Sequence, residues 1–305
     1  HMGTGVLNFF WAISININLF SDLLARWKFV YILESLFDKY DVKIVLSGFE
    51  SPIASMATSI ASDNLEMMSC DCIWSIGEAP MEFAPTQHKF SDRFFLWGKW
   101  HHDLMSASLD KSSGHIIVGY VGDNYIPLMK NEGENFRENQ LNKFNKIITV
   151  FDSGASEDGH FPEEIYIEYV KNIIIIAEEF NALVVLKIKK GDKRYENIIK
   201  LNNNVRLIIH YEKASLVAAL NSDVVIGVAS SSPASISAVH GLQAILYDPN
   251  KMVWDKWESY ENSCVITRSI SDLKKILIES LSYDISKKTT SPSYIDPFAD
   301  GKAQQ

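Results

Sequence analysis

Short apolar runs alternate with longer amphipathic segments along the second half of the chain. The predicted strands are 146–151, 183–188, 205–210, 223–228 and 243–247, and the predicted helices are 162–180, 195–201, 213–220, 233–240 and 271–282. The strands are nearly continuous runs of Val and Ile, which is typical of parallel strands covered by helices on both faces. This order of elements predicts a parallel sheet with helices on both faces.

The first half has a similar but less complete pattern. Strands are predicted at 42–47, 72–76, 93–97 and 116–121, with a helix at 52–62. Residues 124–145 are polar and poor in strand formers, which favours a connection between domains. We therefore predict an N-terminal α/β domain over 6–123 that is short or incomplete, a linker over 124–145, a C-terminal domain over 146–284 and an irregular tail over 285–305.

Composition narrows the classes of function. The 305 residues are 47% hydrophobic, enough for sizeable cores, and carry a formal net charge of -9, which argues against nucleic acid as a partner. Cys70, Cys72 and Cys264 fit neither a disulfide framework nor a zinc site. No apolar run reaches the roughly 18 residues of a membrane span. We expect a cytoplasmic protein, and peripheral contact with the inner face of a membrane stays open.

The most distinctive stretch follows the predicted strand 223–228. Three hydroxyls, Ser230, Ser231 and Ser232, precede Pro233, which suits the first turn of a helix. Hydroxyls and unpaired backbone N–H groups at a helix N-terminus can bind a phosphate or a carboxylate. The alternative is that one of these serines only caps the helix, although three exceed what a cap needs.

Other polar residues follow neighbouring predicted strands. Ligands of parallel sheets bind at the carboxyl ends of the strands, where Ser153, Lys187 and Lys189 lie. Lys187 and Lys189 are two residues apart and therefore share a face. Glu212 follows the next strand, where it could bind ribose hydroxyls or act as a first-turn helix charge. His210 is a further candidate for donor binding, with a structural role as the alternative.

Carboxylates on two loops are candidates for a general base. Glu157 and Asp158 lie on a loop that contains glycine, and Glu50 follows a strand of the first half. Burial beside an apolar cleft raises a carboxyl pKa towards neutrality, as a base requires, whereas a solvated acidic turn has no such role. His101 and His102 are adjacent and do not share a face, so we expect no metal cofactor.

Several common motifs are missing from the sequence. There is no G-x-G-x-x-G after the first strand of the second half and no G-x-x-x-x-G-K-[ST], which removes the main support for a nicotinamide dehydrogenase or a P-loop NTPase. The serine run lacks the flanking glycines of a nucleophile elbow.

An ordered set of segments resembles bacterial surface-polysaccharide glycosyltransferases of the GT-B type. The segments are 148–153, 186–190, 210–215, 223–234, 244–249 and 295–303, with 74–75, 95–99 and 119–120 in the first half. The resemblance implies two Rossmann-like domains facing across a cleft, with the nucleotide-sugar donor bound mainly by the C-terminal one.

A looser resemblance is to bacterial sialyltransferases and to Kdo transferases of capsule assembly. Glu157-Asp158-Gly159 is similar to their acidic-acidic-Gly motif, and the serine run is similar to the serine pair that binds the phosphate of CMP. Lys187-Ile188-Lys189 stands where these families have His-Pro. This resemblance implies a CMP-sugar as one candidate donor.

Together these observations predict a metal-independent glycosyltransferase that moves a sugar from a nucleotide donor to a glycan or a lipid-linked glycan acceptor of a surface polysaccharide. The serine run and Lys187 would hold the donor phosphate in place of a metal ion. Glu212 would contact ribose, and Asp158, Glu157 or Glu50 would deprotonate the acceptor. The alternatives are a UDP-GlcNAc 2-epimerase-like enzyme, a CDP-glycerol glycerophosphotransferase-like enzyme, and a non-catalytic nucleotide-sugar-binding subunit.

Overall fold

The chain divides into two compact units in a computed structural model. The first unit comprises His1–Trp74, Ala79–Leu96 and His101–Ile117, and the second comprises Ser75–Glu78, Trp97–Trp100 and Val118–Gln305. The structure describes residues 19–47, 52–72, 91–99, 101–102, 114–120, 122–152, 162–188, 194–195, 197, 202–209, 215–228, 231–251 and 264–282.

The first unit is an α/β layer built on a parallel sheet. Its elements are α1 (Leu19–Lys39), β1 (Ile44–Ser47), α2 (Pro52–Asn64), β2 (Met68–Cys72), β3 (Arg93–Leu96) and β4 (Gly114–Ile117), with the strands in the order β1-β2-β3-β4. Helices α1 and α2 pack together through Val30, Ala57 and Ala61, whose side chains are buried. The two small alanines allow this close approach.

The second unit is larger and contains a second parallel sheet. A 3-10 turn at Asp123–Tyr125 leads into α3 (Ile126–Leu141), β5 (Lys146–Phe151), α4 (Glu163–Glu179), β6 (Ala182–Ile188), β7 (Val205–Ile209), α5 (Ser215–Ala219), β8 (Val224–Val228), α6 (Ser232–Val239), β9 (Gln243–Tyr247), β10 (Val265–Thr267) and α7 (Ile270–Ser282). The strand order is β7-β6-β5-β8-β9-β10, and every pair is parallel. Numbered within the unit, this is the 3-2-1-4-5-6 order of the Rossmann fold.

The sequence of α4 explains why it covers one face of this sheet. Glu163 and Glu164 lie in its first turn, where carboxylates stabilise the positive end of the helix dipole. The buried residues recur three and four positions apart and form one apolar stripe: Tyr166, Tyr169, Val170, Ile173, Ile174, Ile176 and Ala177. On the opposite face, Ile147, Leu183 and Val185 form a core with Ala218 of α5.

The predicted α/β architecture of two parallel sheets is confirmed, while several elements differ from the prediction. Strand β4 occupies Gly114–Ile117 where the predicted strand is 116–121, and the sequence pattern does not predict helix α1 or strand β10. Strand β2 occupies Met68–Cys72 and meets the predicted strand 72–76 only at Cys72, since residues 73–76 lie outside the described residues. Its polar residues Ser69 and Asp71 are buried, and the Asp92 carboxylate accepts hydrogen bonds from the Ser69 backbone N–H and hydroxyl at 2.8 and 3.0 Å. A hydrophobic pattern cannot reveal a strand whose polar side chains are satisfied internally.

Helix α3 occupies most of segment 124–145, for which the sequence predicts a linker, and it belongs to the second unit. Arg137 of α3 donates to the Asp223 carboxylate at 2.9 Å and to the Asn221 carbonyl at 2.7 Å. Gly133 gives α3 its close approach, since an added Cβ would lie 1.8 Å from Asn221 Nδ2. The exposed residues of α3 are mostly polar, so the sequence pattern resembles a connection. The domain limits 6–123 and 146–284 stay predictions.

None of the helices in the described ranges is both long enough and apolar enough to cross a membrane.

Candidate functional site

The carboxyl ends of β5 and β8 mark the topological switch point of the second sheet. In doubly wound sheets this is where the connections diverge to opposite sides and where ligands bind. Phe151, the last residue of β5, is paired with Lys187 of β6 on one side and with Gly227 of β8 on the other. Paired residues point to the same face, and neighbouring strands lie about 4.8 Å apart. Lys187 and Gly227 therefore share a face with roughly 10 Å between their backbones.

Gly227 allows the start of α6 to lie directly on the sheet. A Cβ at this position would be 2.4 Å from Ser231 Cβ and 2.7 Å from Ser231 Oγ. The Ser231 side chain therefore occupies the space that any other residue at position 227 would need. Lys187 and Ser231 thus lie on the same face of the sheet, on either side of Phe151, at its carboxyl edge.

Ser231 is the N-cap residue of α6, but its hydroxyl does not cap the helix. Its backbone is extended, with φ -63° and ψ 104°, and within the described residues the hydroxyl makes no capping hydrogen bond. Its carbonyl instead accepts hydrogen bonds from the N–H and hydroxyl of Ser235, both at 3.0 Å. The first N–H groups of a helix also have no intrahelical partner. The cap alternative therefore does not hold for Ser231, and the start of α6 can bind an anion.

The other end of α6 is fixed by a separate set of contacts. Gly241 has φ +87°, and the N–H groups of Gly241 and Leu242 bond to the carbonyls of Ala238 and Ser237 at 2.9 and 3.1 Å. This is a Schellman motif, which ends a helix and satisfies its last carbonyls. His240 Nε2 lies 2.8 Å from Asp123 Oδ1, and the Asp123 side chain is fully buried. The helix is thus held at its C-terminal end without using its N-terminal groups.

Lys187 is buried, with only 5% of its surface exposed. Lysine is almost never buried unless it is paired, because the ammonium loses its hydration. The residues that flank it in β6, Leu186 and Ile188, are also buried. Of the predicted site residues, the structure describes Lys187, Ser231 and Ser232. The others lie outside the described residues: Glu50, Ser153, Glu157, Asp158, Lys189, His210, Glu212 and Ser230.

Asp152, which the sequence analysis did not single out, lies at the same edge. It directly follows β5, and its carboxylate accepts hydrogen bonds from Arg194 Nη2 at 2.7 Å and from the Tyr195 hydroxyl at 2.5 Å. Burial, followed by the Asp152 charge, raises the pKa of Tyr195 far above its usual value, so the phenol stays protonated. The position of Asp152, directly after the switch-point strand, was the signal that could have found it.

A second polar cluster lies in the first unit. The rings of His102 and His115 meet edge to face, with their centroids 5.8 Å apart. Burial and the neighbouring His102 lower the pKa of His115. Among the described residues, no group of three or more His, Cys, Asp and Glu side chains is placed to hold a metal ion.

Several solved structures have a similar fold. A Listeria monocytogenes protein named as a UDP-N-acetylglucosamine 2-epimerase has a TM-score of 0.68 at 14% identity, covering 91% of this chain and 75% of that one. A Methanocaldococcus jannaschii UDP-GlcNAc 2-epimerase in complex with UDP-GlcNAc and UDP has a TM-score of 0.61 at 14% identity, covering 91% and 78%. The glycotransferase of kitacinnamycin has a TM-score of 0.51 at 10% identity, covering 89% and 79%.

The chain has a GT-B fold. Its sequence matches no family model and no curated protein. At 10–14% identity, the structural likeness establishes the GT-B architecture of two Rossmann-like domains and nothing finer. The predicted fold class is therefore confirmed, whereas substrate and reaction have to be argued from the residues at the edge of the second sheet.

Proposed function

We propose that this GT-B protein is a glycosyltransferase that binds the phosphate of a nucleotide-sugar donor at the carboxyl edge of its second sheet. One observation carries the proposal: the switch point of the sheet brings Lys187 and the non-capping hydroxyl of Ser231 to the same face, beside the start of α6. An ammonium, a hydroxyl and helix N–H groups together suit a phosphate.

The same groups can stabilise the negative charge that develops on the donor phosphate during glycosyl transfer. The bond between the anomeric carbon and the donor phosphate breaks, and the acceptor oxygen bonds to that carbon. Negative charge then grows on the leaving phosphate, where Lys187, Ser231 and the N-terminus of α6 can stabilise it. The acceptor proton passes to a carboxylate, for which Asp158, Glu157 and Glu50 are the candidates.

We further propose that these contacts replace a metal ion at the leaving phosphate. The support is chemical: one buried ammonium and several hydrogen-bond donors at a phosphate can provide the stabilisation that a divalent cation provides elsewhere. The remaining predicted donor contacts are Ser153, Lys189, His210 and Glu212, together with Ser230 and Ser232.

Our proposals for the acceptor and the cellular location rest on the family resemblance. We propose a surface-polysaccharide glycan, free or linked to a lipid, as the acceptor, and a cytoplasmic location that includes the inner face of a membrane. The resemblance to sialyltransferases and Kdo transferases favours a CMP-sugar, whereas the M. jannaschii structure contains UDP-GlcNAc and UDP. A nucleotide panel separates these two donors.

A second candidate function is 2-epimerisation of a UDP-sugar, which is favoured by the TM-scores of 0.68 and 0.61 with proteins named as 2-epimerases. Inversion at C2 requires loss of the proton on that carbon and its replacement from solvent. Incubation with UDP-GlcNAc in D₂O, without an acceptor, therefore distinguishes the reactions by NMR. Deuterium at C2 would show epimerisation, and an unchanged C2 proton agrees with glycosyl transfer.

The proposed function is tested by binding and by product analysis. The purified chain is titrated with UDP, CDP, CMP and GDP by calorimetry, and the matching sugar nucleotides are then incubated with and without glycan acceptors. We expect one nucleotide to bind and its sugar to appear on an acceptor. Nucleotide binding with neither transfer, epimerisation nor release of free sugar would instead indicate a non-catalytic subunit. Transfer of glycerophosphate from CDP-glycerol to an acceptor, with release of CMP, would indicate a phosphotransferase.

A further inference from the structure

Asp152 is held on three sides at the end of the switch-point strand. Its side chain is fully buried, and one carboxylate oxygen, Oδ2, accepts hydrogen bonds from both Arg194 and Tyr195. Its backbone N–H donates to the carbonyl of Lys187 at 3.1 Å. Asp152 therefore links the segment after β6, which contains Arg194 and Tyr195, to Lys187 near the end of β6.

The partner of Asp152 is also fixed firmly. Only 6% of the Arg194 side chain is exposed, and its guanidinium lies 4.7 Å from the ring centre of Tyr166 and 5.1 Å from that of Tyr195. A guanidinium between aromatic rings gains cation–π attraction while it keeps its planar hydrogen bonds. Tyr166 and Tyr195 are themselves fully buried, so the surrounding packing restricts the positions that the guanidinium can take.

The carboxylate of Asp152 and the side chain of Lys187 lie on opposite faces of the sheet. Lys187 is paired with Phe151 and shares its face, and Asp152 is the next residue along the chain, so its side chain alternates to the face of α4. The Asp152 carboxylate thus cannot reach a phosphate that binds near Lys187 and Ser231. It can act on Lys187 only through the backbone hydrogen bond that joins them.

We propose that Asp152 is a positioning residue for the donor site. Arg194 and Tyr195 immobilise its carboxylate, and its backbone N–H thereby fixes the carbonyl of Lys187 and the point from which the lysine side chain leaves β6. This inference rests on the proposed function, because it assigns Lys187 to the donor phosphate. Displacement of that point by about 1 Å is enough to misplace a catalytic contact.

The test is a double-mutant cycle between Asp152→Asn and Lys187→Met, with the dissociation constant of the tightest-binding nucleotide from the UDP, CDP, CMP and GDP panel as the readout. Positioning predicts that Asp152→Asn weakens binding about 5- to 10-fold in the parent protein and by less than about twofold when Lys187 is already Met. A merely structural residue would weaken both backgrounds by the same factor, and that result would overturn the proposal.

Two further variants keep the test decisive. Arg194→Lys retains the charge but loses the planar guanidinium that lies over Tyr166 and Tyr195, and we expect it to weaken binding in the same direction as Asp152→Asn. Tyr195→Phe removes one of the two hydrogen bonds and keeps the ring, so it replaces Asp152→Asn in the cycle if the latter does not fold by near-UV circular dichroism. If Tyr195→Phe and Arg194→Lys both bind the nucleotide as tightly as the parent does, the positioning role of Asp152 is refuted.

The outcomes separate this inference from the proposed function. If the parent binds none of the four nucleotides, the proposed function fails, and the positioning role fails with it. If the parent binds a nucleotide and Lys187→Met weakens binding, but the effects of Asp152→Asn and Lys187→Met multiply, only the positioning role fails.

Discussion

The close contact between Gly227 and Ser231 allows a sharp test of the start of α6. Gly227→Ala would place a Cβ 2.4 Å from Ser231 Cβ and 3.2 Å from Ala234 Cβ. Carbon atoms normally pack at about 3.5–4.0 Å, so Ser231 must move by more than about 1 Å. Overpacking of this kind costs about 1–3 kcal/mol of stability.

The same displacement should weaken donor binding. A hydrogen bond to a charged group contributes about 1.5–3 kcal/mol, and 1.4 kcal/mol is a tenfold change in affinity. If the shift of Ser231 removes one such bond to the donor phosphate, the dissociation constant rises about 10- to 150-fold. The assay is calorimetric titration with the nucleotide that binds the parent, alongside urea denaturation of both proteins.

Gly241→Ala is the matched control, because it strains the opposite end of the same helix. Gly241 has φ +87°, and nothing lies within 4 Å of an added Cβ. We expect it to lose about 1–2 kcal/mol of stability from backbone strain alone and to bind nucleotide like the parent. Equal nucleotide affinity of Gly227→Ala and Gly241→Ala would refute a donor contact at the start of α6.

Three further predictions concern stability, pH and metal. Arg137→Ala should lower the free energy of unfolding, measured in urea, by about 1–3 kcal/mol, because it leaves the partly buried Asp223 without its bidentate partner. Lys43→Ala, which removes an exposed ion pair, is the control and should change the free energy of unfolding by less than about 1 kcal/mol. The lowered pKa of His115 favours the neutral imidazole in the folded state, so its contribution to stability is present above about pH 6.5 and is lost as the pH falls towards the lowered value. His115→Phe should therefore flatten the loss of melting temperature between about pH 7 and pH 5, and an unchanged slope would contradict this. Excess EDTA should leave nucleotide binding and transfer unchanged, and restoration of a lost activity by Mg²⁺ or Mn²⁺ would contradict metal independence.

The strands of the second sheet could be read from the sequence because burial on both faces leaves nearly continuous Val and Ile runs. The observed limits of β5 and β9 equal the predicted 146–151 and 243–247. Helix α3 could not be found in the same way, because contacts with Asn221 and Asp223, some 80 residues away in sequence, hold a mostly polar helix. Tertiary partners, rather than its own pattern, define it.

The candidate site likewise has a part that the local sequence predicts and a part that only the tertiary structure reveals. Lys187 and Ser231 could be found because Lys187 lies near the end of an apolar strand and Ser231 follows one. The carboxyl ends of parallel strands lie at the same edge of a sheet. Their shared face depends on the register of β5 with β6 and β8, which the sequence does not encode locally. Asp152 and Arg194 are 42 residues apart, so their pairing is visible only in three dimensions.

The most direct test of the donor site is a titration of the parent and of Lys187→Met with the UDP, CDP, CMP and GDP panel in the presence of EDTA. Lys171→Met, an exposed residue of α4, controls for loss of one charge. We predict that the parent and Lys171→Met bind one nucleotide equally and that Lys187→Met binds it about 10- to 100-fold more weakly while it remains folded. Equal binding by Lys187→Met and the parent would contradict the account.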